Sequence, residues 1–197
     1  KKENRLGGAG NVALNIKALG AQPILISVIG NDEEGSMASR LLKEADISDT
    51  HILPSDNRQT TVKTRIVGNN RQIARIDQEV KEPLGEADND RLFNTLSNII
   101  NHIDVLILED YDKGVLNPIS IPRIIQLAKN HNVPIAVDPK FNNFNLKLSD
   151  FKLDKEERLT TKLDLDSKLF NSSNSSISIN GSKVICAPPK ATYIEGR

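Results

Sequence analysis

The feature that most restricts the fold of this chain is a strand, helix and strand pattern in its middle. Residues 105–108 and 134–137 are apolar runs of strand length, and residues 118–130 between them have helical spacing. Continuous apolar runs are typical of strands that are buried on both faces. Two such strands joined by one helix form a right-handed βαβ crossover, in which the strands are parallel. The pattern therefore predicts an α/β fold with a largely parallel central sheet.

Charged residues directly follow both predicted strands. Glu109, Asp110 and Lys113 come after the first strand, and Asp138 and Lys140 come after the second. In open parallel sheets, ligands bind beyond the carboxyl ends of the strands. We therefore expect the two groups to meet at one edge of the sheet. There they either hold sugar hydroxyls, a metal or a phosphate, or they only cap a helix and bind loop amides.

A tight glycine turn that leads into a helix is predicted near the start of the chain. Gly7 and Gly8 precede a segment with helical spacing, and Gly20 follows it as a C-terminal stop. Backbone N–H groups at such a turn can approach a ligand, and Asn11 can cap the helix or bind a hydroxyl. The spacing fits neither a dinucleotide fingerprint nor a Walker A loop. A turn that is needed only for packing is the other explanation.

Three further segments have clear local patterns. Residues 23–29 form one apolar run, which predicts a single buried strand. Asp32 predicts the start of a helix that continues to Ala45, since Asp is a favoured N-cap residue. Apolar side chains at helical spacing predict another helix over residues 90–102.

A β-hairpin is predicted over residues 61–77, where the apolar period changes to two. Two alternating runs flank a Gly-Asn-Asn-Arg turn at residues 68–71. Lys63 and Arg65 share one face of the first strand. This face is either solvated, as charged strand faces usually are, or it reaches a phosphate group carried by a substrate.

The composition argues against several classes of protein. Lys plus Arg and Asp plus Glu number 26 each among 197 residues, so the formal net charge is zero and favours neither nucleic acid nor a membrane surface as a partner. No apolar run approaches the roughly 18 residues of a membrane span. Cys186 is the one cysteine, which excludes an internal disulfide and fits a reducing cytoplasm. The three histidines are scattered, so no metal-ligating residue is predicted.

Five blocks of the sequence resemble one family of enzymes. The run Leu6-Gly-Gly-Ala-Gly-Asn-Val-Ala-Leu-Asn15 resembles the first signature of the ribokinase-like (phosphofructokinase B type) sugar kinases. Four later blocks are similar to the bacterial heptose 7-phosphate kinases of that family: residues 60–65, 72–77, 109–115 and 137–140. The resemblance covers roughly residues 4–144 and implies a three-layer α/β/α ribokinase-like fold. The hairpin, about residues 60–77, would be a small lid on a single kinase domain over residues 1–190.

The resemblance also implies an activity and a set of partners. Such enzymes transfer the γ-phosphoryl group of ATP, with Mg²⁺, to the anomeric hydroxyl of D-glycero-D-manno-heptose 7-phosphate. The product leads to ADP-heptose and the lipopolysaccharide core. Lid hairpins in this family often pair between two subunits, which implies a homodimer. Heptose kinases are often fused to a nucleotidyltransferase.

Site residues are implied by the same resemblance. The sugar site would be lined by Gly7, Gly8 and Asn11, with Asn11 on a hydroxyl. Lys63 and Arg65 would contact the 7-phosphate of the substrate, and Asp110 and Lys113 would lie at the sugar and phosphate region. Asp138 and Lys140 would face the nucleotide phosphates.

The sequence departs from the family pattern in three places. A strand that carries a sugar-binding Asp does not precede Lys1, and Asn145-Leu-Lys147 is only a trace of the motif that organises magnesium. The Gly-Ala-Gly-Asp motif, whose Asp is the general base, does not occur between Lys183 and Arg197, so no catalytic residue is predicted. We expect that segments are missing from the sequence, rather than that the kinase is truncated and inactive. Residues 191–197 are interpreted as a tail, because Ile194-Glu-Gly-Arg197 matches a protease-recognition sequence that is added to recombinant proteins.

Two other functions remain open at this point. One is a ribokinase-family kinase for another sugar or a nucleoside. The other is a non-catalytic fragment that binds a sugar phosphate. A neutral substrate would give Lys63 and Arg65 no reason to lie together at the lid.

Overall fold

The structure is a computed structural model that describes residues 1–69, 71–138, 183–186 and 189–191. Its strands are β1 (Leu6–Gly8), β2 (Gln22–Leu25), β3 (Ser27–Gly30), β4 (Ile52–Ser55), β5 (Val62–Gly68), β6 (Arg71–Gln78), β7 (Val105–Glu109), β8 (Ile135–Asp138), β9 (Lys183–Cys186) and β10 (Pro189–Ala191). Its helices are α1 (Ala9–Ala18), α2 (Glu33–Glu44), α3 (Glu86–Ile99) and α4 (Ser120–Asn130), with a short 3₁₀ turn at Ile100–His102. No helix in these ranges has the length and apolar character of a membrane span.

The predicted parallel sheet is confirmed, with strand order β2-β9-β7-β8 and every neighbouring pair parallel. Strand β7 pairs with β8 so that Leu106 lies opposite Ile135 and Glu109 lies opposite Asp138. Helix α4 connects these two strands, as the βαβ pattern requires. The elements end within two residues of the predicted bounds.

Side chains of β7 divide the core into two clusters, one on each face of this sheet. Leu106 and Leu108 pack with apolar residues of α3 and α4, whereas Ile107 packs with those of α1 and α2. Alternate side chains of a strand point to opposite faces, so both faces of β7 are covered by helices. The layers are therefore helices, sheet and helices, as the ribokinase-like fold requires.

A second sheet contains the predicted hairpin and has strand order β1-β10-β5-β6. Strands β5 and β6 are antiparallel, and the pair Gly68 and Arg71 closes the turn. Strand β10 lies parallel to β5 and antiparallel to β1. The glycine strand β1 and the hairpin therefore belong to one sheet, on either side of β10.

The prediction of a single strand over residues 23–29 is wrong. The chain forms β2 and β3 there, and these strands belong to different sheets, because β2 pairs with β9 and β3 pairs with β4. Both sides of the break contribute to both cores, since Ile24 and Val28 pack in one cluster and Leu25 and Ile29 pack in the other. An apolar run indicates burial on both faces but contains no signal for a kink between two buried strands.

Helix ends follow the sequence signals with two exceptions. The first is α1, whose N-cap is Gly8, so Asn11 does not cap this helix. Gly20 adopts a φ of +87° after α1, where its N–H donates to the Lys17 carbonyl at 2.9 Å while the N–H of Ala21 donates to the Ile16 carbonyl at 3.2 Å. These two bonds are those of a Schellman motif, so the predicted glycine stop is confirmed. The second exception is α3, which begins at Glu86, four residues before the predicted start. Its first turn contains buried polar residues, which hydrophobic periodicity does not detect.

Candidate functional site

The carboxyl ends of β7 and β8 lie side by side, as predicted. The N–H of Asp110 donates to the carbonyl of Asp138 at 3.0 Å, directly after the paired residues Glu109 and Asp138. Glu109 and Asp110 are buried, whereas Asp138 is exposed. Oδ1 of Asp110 accepts a hydrogen bond from the N–H of Asp112 at 2.8 Å, so this carboxylate also shapes its own loop. The edge combines two buried acidic residues with an exposed one at the place where ligands of parallel sheets bind.

Lys113 and Lys63, predicted from different parts of the sequence, are joined by one carboxylate. Nζ of Lys113 lies 2.8 Å from Oε1 of Glu79, and Nζ of Lys63 lies 3.2 Å from Oε2 of the same residue. The side chains of all three residues are mostly buried, with 10%, 17% and 15% exposure for Lys113, Lys63 and Glu79. The hairpin and the loop after β7 therefore meet at a shared ion-pair cluster.

Glu79 is a site residue that the sequence prediction did not include. Burial by itself would raise the pKa of Glu79, but hydrogen bonds from Lys113 and Lys63 outweigh it and lower the pKa to about 2. Lys81 adds a further ammonium group at 3.5 Å. The alternation of β6 contained a usable signal, because residue 79 continues the face of Asp77, which lies directly opposite Lys63.

Asp77 extends the cluster along the hairpin. Its Oδ2 accepts from Nζ of Lys63 at 2.6 Å, and its Oδ1 lies 3.0 Å from Nε of Arg75. The hydrogen bond from Lys63 is the main cause that lowers the pKa of Asp77. Arg65 is half-buried and lies opposite Arg75 in the hairpin register. The predicted phosphate-binding face of the hairpin thus carries positively and negatively charged side chains.

A short connection, residues 79–84, leads from the hairpin to α3 and is here called the return segment. Arg58 holds it against the loop after β7, because its Nη2 donates to the Lys113 carbonyl at 2.5 Å and to the Val80 carbonyl at 3.3 Å. Burial lowers the pKa of Arg58, against the attraction of Asp88 and Glu82. The Leu84 N–H also donates to the Gly114 carbonyl at 3.0 Å.

Gly114 is required by this contact in two ways. Its φ is +76°, which L side chains rarely adopt, and a Cβ atom at this position would lie 1.9 Å from the Glu82 carbonyl oxygen. The loop and the return segment therefore pack backbone against backbone. We call the contacts of Glu79, Lys63 and Lys113 the Glu79 anchor.

The other end of the hairpin is held by Asp32. Its Oδ1 accepts from the Thr60 hydroxyl at 2.6 Å and from the Gly35 N–H at 2.7 Å, and its Oδ2 accepts from the Thr60 N–H at 2.8 Å. Burial would raise the pKa of Asp32, but these hydrogen bonds outweigh it and lower the pKa. Asp32 thus caps α2, as predicted, and also fixes the residue that leads into β5. We call this set of contacts the Asp32 anchor.

The glycine turn lies in the same sheet as the hairpin. Leu6 and Val62 both pair with Ala191, so β1 and β5 are two strand spacings apart, about 10 Å. Gly8 has a φ of +55° at the start of α1, and Asn11 is exposed in the first turn of that helix. The structure therefore places the predicted sugar-binding residues next to the hairpin.

One predicted site residue, Lys140, lies outside the described residues, as do Asn145-Leu-Lys147 and residues 192–197 of the predicted tail. Among the residues that the structure does describe, no group of three or more His, Cys, Asp and Glu is placed to hold a metal ion.

Comparison with solved structures shows which known proteins share this fold. Solved structures with the same fold include a possible 1-phosphofructokinase from Thermotoga maritima, with a TM-score of 0.56 and 16% identity over 71% of this chain and 43% of that chain. A second is an uncharacterized sugar kinase from Pyrococcus horikoshii in complex with ATP, with a TM-score of 0.50 and 15% identity over 73% of this chain and 47% of that chain. At these identities the likeness shows the fold alone.

The family is shown by the sequence itself. The model of the pfkB family carbohydrate kinases matches residues 1–152, and the chain belongs to this family. Curated relatives include the bifunctional protein HldE of Helicobacter pylori strain G27, 42% identical over 146 residues (74% of this chain, 32% of that protein). The bifunctional protein HldE of Trichlorobacter lovleyi is 39% identical over 145 residues (74% and 30%). The chain thus spans about a third of the length of the curated relatives that it matches.

Proposed function

We propose that this chain is an ATP-dependent kinase that phosphorylates the anomeric hydroxyl of D-glycero-D-manno-heptose 7-phosphate. The observation that carries the proposal is the meeting of Lys63 and Lys113 at the carboxyl edge of the parallel sheet. Membership of the pfkB family and the likeness to HldE proteins support a kinase for a heptose phosphate.

The charge balance of the cluster suits an additional anion. Its cationic side chains outnumber its carboxylates by four to two, a net charge of +2: Lys63, Arg75, Lys81 and Lys113 against Asp77 and Glu79. Lysine ammonium groups and arginine guanidinium groups bind phosphate oxygens through charge-assisted hydrogen bonds. The cluster therefore has two positive charges in excess for a phosphate dianion on the substrate.

Each predicted site residue receives a role in this proposal. Lys63 and Arg65 bind the existing phosphate of the sugar, and Asp110 and Lys113 lie at the sugar and phosphate region. Gly7, Gly8 and Asn11 bind the sugar at the neighbouring glycine turn. Asp138 and Lys140 face the phosphates of ATP.

Mg²⁺ would accompany ATP, and the residues fit that ion in a limited sense. Mg²⁺ is usually held by substrate phosphates, waters and only one or two carboxylates. Asp110 and Asp138 at the strand ends supply carboxylates of that number, so a dedicated three-residue cluster is not needed. The ion would neutralise charge on the phosphoryl group, while the residues of this chain orient the sugar hydroxyl and hold its phosphate.

Self-association through the hairpin is proposed as well. Ile66 and Ile76 lie on one face of the hairpin and are 40% and 52% exposed. If the hairpin of a second copy packed against these side chains, their apolar area would be removed from water. Light scattering is expected to give twice the mass of the chain, and a mass that drops to that of one chain in an Ile66→Glu, Ile76→Glu variant would confirm the surface.

A second candidate is a kinase for an unphosphorylated sugar. It is favoured by the ion pairs themselves, because Asp77 and Glu79 already occupy Lys63 at 2.6 and 3.2 Å. In that case the cluster would hold the hairpin in place and would not contact the substrate. Comparison of the phosphorylated and unphosphorylated heptose separates the two candidates.

The activity is tested by phosphorus NMR of the chain with ATP, Mg²⁺ and D-glycero-D-manno-heptose 7-phosphate. We expect a new signal from a phosphate at the anomeric position, in step with the formation of ADP. Binding of the sugar phosphate without this signal would contradict kinase activity of the chain and would favour a sugar-phosphate-binding fragment. Turnover of the unphosphorylated heptose at the same rate would favour the second candidate.

A further inference from the structure

Two lysine side chains that lie close together in a mostly buried place repel each other. Lys63 lies in β5 of the hairpin and Lys113 lies in the loop after β7, and each places its ammonium group on a different oxygen of Glu79. Two positive charges that contact the same carboxylate repel each other, and burial strengthens this repulsion because the local dielectric constant is low. An anion between them is therefore needed to hold both ammonium groups in the same place.

Glu79 is fixed in a position where its carboxylate lies between the two ammonium groups. It follows the end of β6, and Arg58 ties the adjacent Val80 carbonyl to the carbonyl of Lys113. The backbone on both sides of the ion pairs is thus held by a second set of contacts. The pKa of Glu79, about 2, keeps its carboxylate charged throughout the neutral range.

We propose that Glu79 is the positioning residue that joins Lys63 and Lys113 into a single phosphate site, so that the preference for a phosphorylated over an unphosphorylated sugar depends on it. The inference rests on the proposed function and adds a residue to it. Glu79 acts through the two lysines and does not touch the sugar. A carboxylate that merely occupied the site in place of the phosphate would have the opposite effect, because its removal would strengthen phosphate binding.

Glu79→Gln tests the inference, since it removes the charge and keeps the size of the side chain. Calorimetric titration with heptose 7-phosphate and with the heptose that lacks the phosphate gives the preference as a ratio of two dissociation constants. We expect Glu79→Gln to lower this ratio about tenfold, through weaker binding of the phosphorylated sugar alone. Glu79→Asp, which keeps the charge on a shorter side chain, is expected to recover part of the ratio.

Glu44→Gln is the matched control. Glu44 is exposed at the end of α2 and takes no part in the Glu79 anchor, and its loss changes the net charge of the protein by the same amount. It should leave the ratio within twofold of that of the wild type, about the precision of the titration. An unchanged ratio in Glu79→Gln, an equal loss for both sugars, or tighter binding of the phosphorylated sugar would each overturn the inference.

A measurement without sugar separates this inference from the proposed function. The lysines can be labelled biosynthetically with ¹³C, which leaves their ammonium groups unmodified, and the NMR signals of their ε-methylene groups can be followed during titration with inorganic phosphate. Lys63→Arg and Lys113→Arg variants assign the two signals. If the wild type binds neither sugar, the proposed function fails, but the signals of Lys63 and Lys113 should still shift together with one dissociation constant.

In Glu79→Gln we expect the same two signals to respond with about tenfold weaker affinity or with two different dissociation constants. Independent responses of the two lysines in the wild type, or identical responses in the wild type and in Glu79→Gln, would overturn the inference whatever sugar the protein binds.

Discussion

The hairpin is attached to the rest of the protein at two ends that use different chemistry. At its start, the Asp32 anchor joins a carboxylate to neutral donors, namely the N–H and hydroxyl of Thr60 and the N–H of Gly35. At its end, the Glu79 anchor joins a carboxylate to ammonium groups of Lys63 and Lys113. Neutral backbone donors cannot leave without breaking the fold, whereas a lysine ammonium group has three N–H donors and can bind a phosphate in addition to a carboxylate.

The difference teaches that a carboxylate with a lowered pKa is not by itself a sign of function. Asp32 and Glu79 both have lowered pKa values, but the cause for Asp32 is the capping of a helix and a loop. Of the two anchors, only the Glu79 anchor presents ammonium groups at the carboxyl edge of the parallel sheet. We therefore expect changes at the Asp32 anchor to act on stability and changes at the Glu79 anchor to act on phosphate binding.

The largest effect is expected from a variant that replaces both Lys63 and Arg65 by Ala. Each charged hydrogen bond to the phosphate is worth about 1.5–3 kcal/mol, so binding of heptose 7-phosphate should weaken by about 3–6 kcal/mol in total. Calorimetric titration measures this loss. Unchanged affinity would remove both residues from the substrate site and would make the two ends of the hairpin alike.

Asp32→Ala should have its effect on folding instead. It removes the N-cap of α2 and leaves the Thr60 N–H without its acceptor, so we expect a loss of about 2–4 kcal/mol in the free energy of unfolding. Urea unfolding measures the loss, and Asp32→Asn should show a smaller one because an acceptor oxygen remains. A variant that folds as stably as the wild type would contradict the assignment of this anchor to structure.

Gly114→Ala tests the contact between the loop after β7 and the return segment, with Gly20→Ala as the control. Both glycines have positive φ, but a Cβ at Gly20 would meet no atom within 4 Å, whereas at Gly114 it would collide with the Glu82 carbonyl. Gly20→Ala should cost about 1 kcal/mol of unfolding free energy and Gly114→Ala about 2–3 kcal/mol. Equal losses would mean that the two segments are not pressed together.

The smallest effect is expected in the pH dependence of stability. Because the pKa of Glu79 falls from its ordinary 4.5 to about 2 in the folded protein, its ion pairs stabilise the fold above pH 4.5, and this contribution is lost as the pH falls toward 2. The full shift in the pKa of Glu79 corresponds to about 3 kcal/mol of unfolding free energy. Screening by the solvent that reaches this side chain reduces the contribution to about 1–2 kcal/mol.

Urea unfolding of the wild type and of Glu79→Gln at pH 6 and pH 3 isolates this contribution, since Asp32 and Asp77 titrate in both proteins. The difference between the two proteins should shrink at the lower pH. A difference that stays constant between the two pH values would show that the Glu79 carboxylate gains nothing from its lysines.

Local patterns predicted most of the fold. The apolar runs at β7 and β8, the helix between them and the alternation of the hairpin each agree with the structure, because each depends on the residues within the element. The break at Ile26 and the start of α3 at Glu86 depend on tertiary contacts instead. At Ile26 the chain leaves the pairing with β9 and begins the pairing with β4. At the start of α3, buried polar side chains are held by hydrogen bonds.

The candidate site shows the same division. The position of Asp110 and Asp138 at one sheet edge follows from the rule for parallel strands, and the structure has it. Glu79 and Arg58 were not predicted, because their importance comes from contacts with Lys113, which is 34 and 55 residues away in sequence. The one local signal for the ion-pair cluster was that Asp77 lies directly opposite Lys63 in the hairpin.

The central claim is that the cluster at the Glu79 anchor binds the phosphate of a phosphorylated sugar, and calorimetric titration of the wild-type chain tests it most directly. We predict that D-glycero-D-manno-heptose 7-phosphate binds at least about 100-fold more tightly than the heptose without the phosphate, as two charged hydrogen bonds require. Equal affinities for the two sugars would contradict the claim and would leave the cluster as a device that only holds the hairpin in place.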